Sequence, residues 1–159
     1  MATLPQLIEE DIQALDKVLR EFLVRSDATT ALILDKGGFL ITHQGNASEF
    51  DLTTISALAS GAYLANQTIA NLVQETNFDS VYQQGENYSM LVTNVDENCL
   101  LLAIFRAQVG VGMVKYWAGV IRERIASQMQ IAQQRDPAGG FDLSELNLAD
   151  TSGLFKRKT

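Results

Sequence analysis

Residues 30–43 have the sequence TALILDKGGFLITH, which gives the clearest local indication of the fold. Residues 30–34 form a short apolar run with the composition that strands favour. Residues 35–38 are polar or glycine, as in a tight turn, and residues 39–43 resemble a second strand. The stretch therefore predicts an antiparallel β-hairpin.

Helical periodicity lies on both sides of this hairpin. Apolar residues recur at three- and four-residue steps over residues 7–24, 52–75 and 111–134, which predicts three amphipathic helices. Asp51 precedes the middle helix and is a suitable cap, because its carboxylate can accept from the free N–H groups of the first turn. Three more strands are predicted after the middle helix, at residues 80–84, 88–95 and 99–105.

The predicted order of elements is α-β-β-α-β-β-β-α. Consecutive strands are joined by short connections, so the five-stranded sheet must be antiparallel. Two of its strands are apolar on both faces, which requires helices on both faces of the sheet. We therefore predict an α/β protein of the α+β type. One domain covers residues 5–134, and a flexible linker and C-terminal tail follow over residues 135–159, because the sequence DPAGG at 136–140 interrupts the last helix.

Composition excludes several classes of function. The 159 residues are 47% hydrophobic and 19% charged, which is sufficient for one well-packed domain. The net charge of −7 disfavours nucleic acids and anionic membranes as partners. The N-terminus lacks the pattern of a signal peptide, and the longest apolar run, residues 100–105, is far shorter than the roughly 20 residues that span a bilayer. We expect a cytoplasmic protein without a cofactor.

The sequence predicts no catalytic centre. His43 is the one histidine and Cys99 the one cysteine, and a cysteine that opens an apolar strand usually behaves as a buried hydrophobe. These two residues offer too few ligands for a zinc site. Residues 110–112, Gly-Val-Gly, lack the glycine spacing and the lysine of a phosphate loop, and are interpreted as a strand-to-helix turn.

The middle helix is the most informative segment. Its inner stripe is predicted to consist of Ile55, Leu58, Ala62, Ala65, Ile69 and Leu72. The opposite face carries no charge, whereas the exposed face of a monomer's helix usually presents polar and charged residues. Either the rest of the chain buries this face or another protein packs on it. We expect the second, because the chain offers no spare element to cover it. The residues of this face are Ala57, Gly61, Leu64, Thr68 and Asn71.

The C-terminal tail allows two interpretations. It is mostly polar, which is typical of disordered termini. Alternatively, residues 150–155 form a short helix that places Leu154 and Phe155 in a groove on a partner.

Three segments resemble the roadblock/dynein light chain family. They are residues 31–41 (ALILDKGGFLI), residues 55–62 (ISALASGA), and residues 101–105 (LLAIF) followed by 109–114 (VGVGMV). They correspond to the family's first hairpin, its central helix, and its last strand with the entry to the last helix. Within the family, the chain is most similar to the bacterial MglB type. The likeness covers about residues 5–132.

The resemblance implies a roadblock/profilin-like fold and a function in regulating a small Ras-like GTPase of gliding or polarity control. Two protomers would join their sheets edge to edge and set their middle helices side by side. One GTPase would dock on Ala57, Gly61, Leu64 and Thr68 of the paired helices. The homodimer would accelerate GTP hydrolysis by repositioning the GTPase's own catalytic groups. The resemblance implies no arginine finger; Arg25 and Arg106, which lie next to loops, would be the candidates for one.

Two other functions remain open. The chain can be a scaffold of the same fold that joins a larger complex without changing nucleotide turnover. It can also be a small-molecule sensor, although no cluster of polar residues converges within an apolar stretch.

Overall fold

The computed structural model describes residues 4–135. Residues 136–159 of the predicted linker and tail, including Leu154 and Phe155, lie outside the described range. The elements in chain order are α1 (Glu9–Ser26), β1 (Thr30–Asp35), β2 (Leu40–Gly45), α2 (Leu52–Leu72), β3 (Ser80–Gln83), β4 (Tyr88–Asn94), β5 (Cys99–Arg106) and α3 (Val111–Gln133).

The five strands form one antiparallel sheet in the order β2-β1-β5-β4-β3. This confirms the predicted fold class and element order. The central strand β5 is buried at every position from Cys99 to Phe105. A strand of this kind needs cover on both faces, and the helices provide it. The two edges of the sheet are β2 and β3.

Helices α1 and α3 pack together on one face of the sheet. Leu15, Leu19 and Phe22 of α1 are fully buried against Ile121 and Ile125 of α3 and against every second side chain of the strands. Alternate strand residues point to opposite faces, so the odd-numbered residues of β5 belong to this core.

A buried charge closes the end of the α1/α3 layer. Asp11 is fully buried and accepts two hydrogen bonds of 2.9 Å from the guanidinium of Arg135. It also accepts from Gln128 Nε2 at 2.8 Å and from the Ile8 backbone N–H at 2.9 Å. The hydrogen bonds from Arg135 lower the pKa of Asp11 to about 2. The network joins the start of α1 to the end of α3.

Helix α2 lies alone on the other face of the sheet. It begins where predicted, because Asp51 accepts a hydrogen bond of 3.1 Å from the Thr54 backbone N–H. Its core partners are large: Leu32 and Leu34 of β1, and Leu100, Leu102 and Ile104 of β5.

The predicted inner stripe of α2 is wrong except at Ile55, which is half-buried against the core, and Ala62 and Ala65 are exposed. Leu58, Ile69 and Leu72 are exposed, and the buried residues of the helix are Leu52, Ser56, Ala59, Ser60, Tyr63 and Ala70. The sheet face beneath is already filled by leucine and isoleucine side chains. The helix packs on this face mainly through small residues, with Leu52 and Tyr63 as its large buried side chains, and most of its other large residues turn outward.

None of the helices within residues 4–135 combines the length and apolarity needed to cross a membrane.

Candidate protein-binding surface

The outward side of α2 is uncharged over its whole length and carries several large apolar side chains. Leu58 is 69% exposed, Leu64 51% and Leu72 78%, and Ile69 is also exposed. The side chains between them are small or uncharged. We call this side the α2 surface, and its residues are Ala57, Leu58, Gly61, Ala62, Leu64, Ala65, Thr68, Ile69, Asn71 and Leu72.

No charge interrupts this surface. Helix α2 has the sequence LTTISALASGAYLANQTIANL and contains no Asp, Glu, Lys or Arg. Single exposed apolar residues are common on monomers, but a continuous exposed apolar patch marks an interaction site. Phe39, in the hairpin turn beside the helix, is also 72% exposed. The arrangement therefore suits a protein partner.

Gly61 lies in the middle of the α2 surface, and no contact within residues 4–135 requires a glycine there. A Cβ atom added there would meet nothing within 4 Å. Glycine inside a helix costs about 1 kcal/mol relative to alanine. A close approach by another helix would account for a residue without a side chain at this position.

The helix is held firmly from beneath. The Ser60 hydroxyl donates to the Lys36 carbonyl at 2.5 Å, and the Lys36 ammonium lies 5.7 Å from the centre of the Tyr63 ring. Burial lowers the pKa of Lys36. Gly38 adopts a φ of +98°, and a Cβ atom there would lie only 3.2 Å from the Ala57 Cα atom. The hairpin turn thus packs tightly against α2 and fixes the orientation of the α2 surface.

Strand β3 provides a second feature that suits association. It pairs with β4 on one side, and the sheet described by residues 4–135 ends at its other side. Tyr82 of this strand is 40% exposed. An edge strand presents backbone N–H and C=O groups that another strand can pair with.

The predicted partner-binding residues are all on this surface. Ala57, Gly61, Leu64, Thr68 and Asn71 are exposed on α2. Sequence reasoning missed Leu58, Ile69 and Leu72, which were assigned to the core. The absence of charge over the entire helix was the signal that the surface is wider than one stripe.

The residues considered for catalysis lie apart. His43 is exposed on β2 opposite Leu32, whereas Cys99 is fully buried on β5 opposite Asp35. Burial raises the pKa of the Cys99 thiol far above its usual range. No group of three or more His, Cys, Asp or Glu side chains suited to a metal ion occurs within residues 4–135.

The two arginines considered as fingers lie over aromatic rings of their own chain. The Arg25 guanidinium lies 5.3 Å from the centre of the Trp117 ring, and that of Arg106 lies 5.3 Å from the centre of the Tyr88 ring. Cation–π contacts of this kind hold a side chain in place. Neither residue belongs to α2.

The space beneath α2 does not suit a small-molecule ligand. A cavity of about 10 Å³ lies between Ala59 and Tyr63 of the helix and Val81 and Val92 of the sheet. This volume corresponds to about one water molecule, whereas ligand pockets measure roughly 300–1,000 Å³.

Comparison with known domains identifies the class of protein. The Roadblock/LC7 domain matches residues 14–105, which is more than half of the chain. The chain belongs to the Roadblock/LC7 family.

Solved structures relate the chain to MglB proteins. An MglB with a tetrameric arrangement superposes with a TM-score of 0.77 at 26% identity, covering 83% of this chain and 99% of that one. The gliding protein MglB of Thermus thermophilus gives 0.75 at 26% identity, covering 82% and 98%. Myxococcus xanthus MglB gives 0.75 at 22% identity, covering 82% and 99%, and supports the fold alone.

Proposed function

We propose that the chain is a cytoplasmic, homodimeric regulator of a small Ras-like GTPase in gliding or polarity control. The α2 surface is its binding face. One observation carries this proposal: a Roadblock/LC7 chain similar to MglB exposes Leu58, Leu64 and Leu72 on a helix without charge. The chain supplies no catalytic residue and acts by repositioning groups of the GTPase.

Dimer formation would use two features that residues 4–135 leave without a partner. The edge of β3 can pair with an edge of a second sheet, and the α2 helices then lie side by side. Gly61 allows the helix backbones to approach closely. Burying a fully exposed leucine side chain contributes about 1.5–3 kcal/mol, so the exposed α2 leucines would offset part of the entropy lost on association.

The GTPase would dock on what the paired helices leave exposed. Because the α2 surface is uncharged, a partner would bind it through complementary shape and the burial of apolar side chains, not through ion pairs. Arg25 and Arg106 both lie outside α2, and the proposed mechanism uses neither as an arginine finger. Leu154 and Phe155 of the tail remain a predicted second contact with the GTPase.

Single-turnover GTP hydrolysis by a Ras-like GTPase, with and without the full chain, tests this proposal. We expect a faster rate and a complex on a sizing column. Leu64→Glu should abolish both, because it places a charge in the centre of the α2 surface. Met113→Glu is the matched control, because Met113 is 54% exposed but lies on α3. An unchanged rate and the absence of a complex would contradict the proposal.

A scaffold function is the second candidate. The α2 surface serves a scaffold equally well, and one similar MglB structure has a tetrameric arrangement. The same experiment separates the two functions. A scaffold binds the GTPase or other partners, and Leu64→Glu disrupts that binding, but GTP turnover stays at its basal rate.

A further inference from the structure

A groove runs between α1 and α3 on the side of these helices that faces away from the sheet. Its volume is about 580 Å³. Its apolar lining consists of Ala14 and Val18 of α1 with Val120 and Ile131 of α3. Val120 is 38% exposed and Ile131 is 55% exposed. This groove lies on the opposite side of the sheet from the α2 surface, so the proposed function does not use it.

The charges of the groove are balanced. Lys17, Glu123 and Arg124 line it, and Arg124 forms an ion pair with Glu21. Charge therefore does not select the occupant, and the apolar lining must supply the affinity.

The chain leaves the domain at the end of this groove. Arg135 is fixed by its two hydrogen bonds to the buried Asp11. Asp11 also binds Gln128, and Gln128 lines the groove. The segment that follows therefore starts beside the groove in every molecule.

The segment beyond Arg135 has the length and composition to fill the groove. Residues 136–140 have the sequence DPAGG, which favours a reversal of the chain and spans up to about 17 Å. The groove from Ile131 back to Val120 is roughly 16 Å long, by the rise of an α-helix. Residues 141–148 follow with the sequence FDLSELNL, in which every second or third residue is large and apolar.

We propose that residues 141–148 bind in the α1/α3 groove of their own protomer, antiparallel to α3. Leu143 and Leu146, which are three residues apart, contact the apolar lining. A tethered segment has an effective concentration in the millimolar range, which favours it over a free partner of equal intrinsic affinity. Neither the GTPase nor a second copy is needed for this contact.

Thiol labelling of the full chain tests the contact. Val120→Cys places a reporter in the groove, and Arg122→Cys places a matched reporter on the other side of the same helix, at nearly the same distance from Arg135. The native Cys99 thiol is fully buried with a raised pKa, so it stays silent. We expect the double change Leu143→Ser and Leu146→Ser to speed maleimide labelling of Val120→Cys at least threefold and to leave Arg122→Cys unchanged.

Disulfide trapping supplies the second measurement. Val120→Cys with Leu146→Cys should form an intramolecular disulfide at least fivefold faster than Arg122→Cys with Leu146→Cys. Labelling of Val120→Cys that is indifferent to the tail changes would overturn the proposal. Equal trapping rates for the two pairs would also overturn it, and so would disulfides between two chains, which would instead assign the groove to a second copy.

Discussion

The two faces of the sheet are covered in opposite ways. On one face, α1 and α3 pack against each other and bury large side chains such as Leu19 and Phe22. On the other face, α2 lies alone, buries small residues such as Ser56 and Ala59, and exposes Leu58 and Leu72. Both faces of the sheet itself are apolar, so the difference is set by the helices.

This difference separates stability from association. The α1/α3 layer packs its large side chains within the chain. The α2 layer covers the sheet mostly with small side chains, beside Leu52 and Tyr63, and leaves Leu58, Leu64 and Leu72 exposed for a partner. Substitutions in the two layers should therefore have different signatures, and the following variants measure them.

Leucine truncation should show the largest contrast. Leu19→Ala removes a fully buried side chain of the α1/α3 layer and should lower the free energy of unfolding by about 2–5 kcal/mol at every protein concentration. Leu58→Ala, at a residue 69% exposed, should change the unfolding of a single chain by less than about 0.5 kcal/mol. Urea denaturation over a range of concentrations measures both. Equal losses in the two variants would contradict the division of roles.

The buried ion pair of the α1/α3 layer should make stability depend on pH. The pKa of Asp11 is about 2 in the folded chain, below the ordinary 3.8. The carboxylate therefore stabilises the fold by about 2 kcal/mol above pH 4, and this contribution is lost as the pH falls toward 2.

Replacement of Asp11 tests this origin. Asp11→Asn should remove about 2 kcal/mol of stability at pH 7 and flatten the acid loss, and urea denaturation at pH 7 and pH 3 measures both. Arg135→Lys keeps the positive charge but not the paired hydrogen bonds, so it should fall between Asp11→Asn and the native chain. An acid loss in Asp11→Asn as steep as in the native chain would place its origin elsewhere.

Gly61→Ala should give the smallest change in stability and the clearest change in association. The added Cβ meets no atom of residues 4–135 within 4 Å, so the variant should be more stable by about 0.5–1 kcal/mol. The same methyl group should obstruct a second helix and weaken dimerisation. Gly119→Ala is the control, because its Cβ atom is equally free of contacts but lies on α3. Unchanged dimer affinity in Gly61→Ala would show that no backbone approaches there.

The sequence predicted the elements and their order because local signals were strong. The hairpin turn, the Asp51 cap and the continuous apolar run of β5 are each decided by neighbouring residues. The family resemblance rested on the same segments, and the Roadblock/LC7 match confirmed it. Helix boundaries were predicted to within three residues.

The orientation of α2 was not predictable from periodicity. Its large residues Leu58, Ile69 and Leu72 repeat with a helical period, as a core stripe does, and they are exposed. A helical period in the apolar residues shows that a helix has an apolar face, but it does not show whether that face points into the core or outward. The direction depends on the strands, because side chains such as Leu32 and Leu102 fill the sheet face, and the helix meets it mostly through small residues beside Leu52 and Tyr63. These strand residues are far from the helix in sequence, so a local pattern does not include them.

The mass of the full chain in solution is the most direct test of the proposed homodimer. Sedimentation velocity of the native chain should give a species of twice the single-chain mass of 17.5 kDa, whereas Leu64→Glu should give the single-chain mass and retain its helical signal. A native chain that sediments at 17.5 kDa at all accessible concentrations would contradict the proposal that the α2 surface holds two chains together.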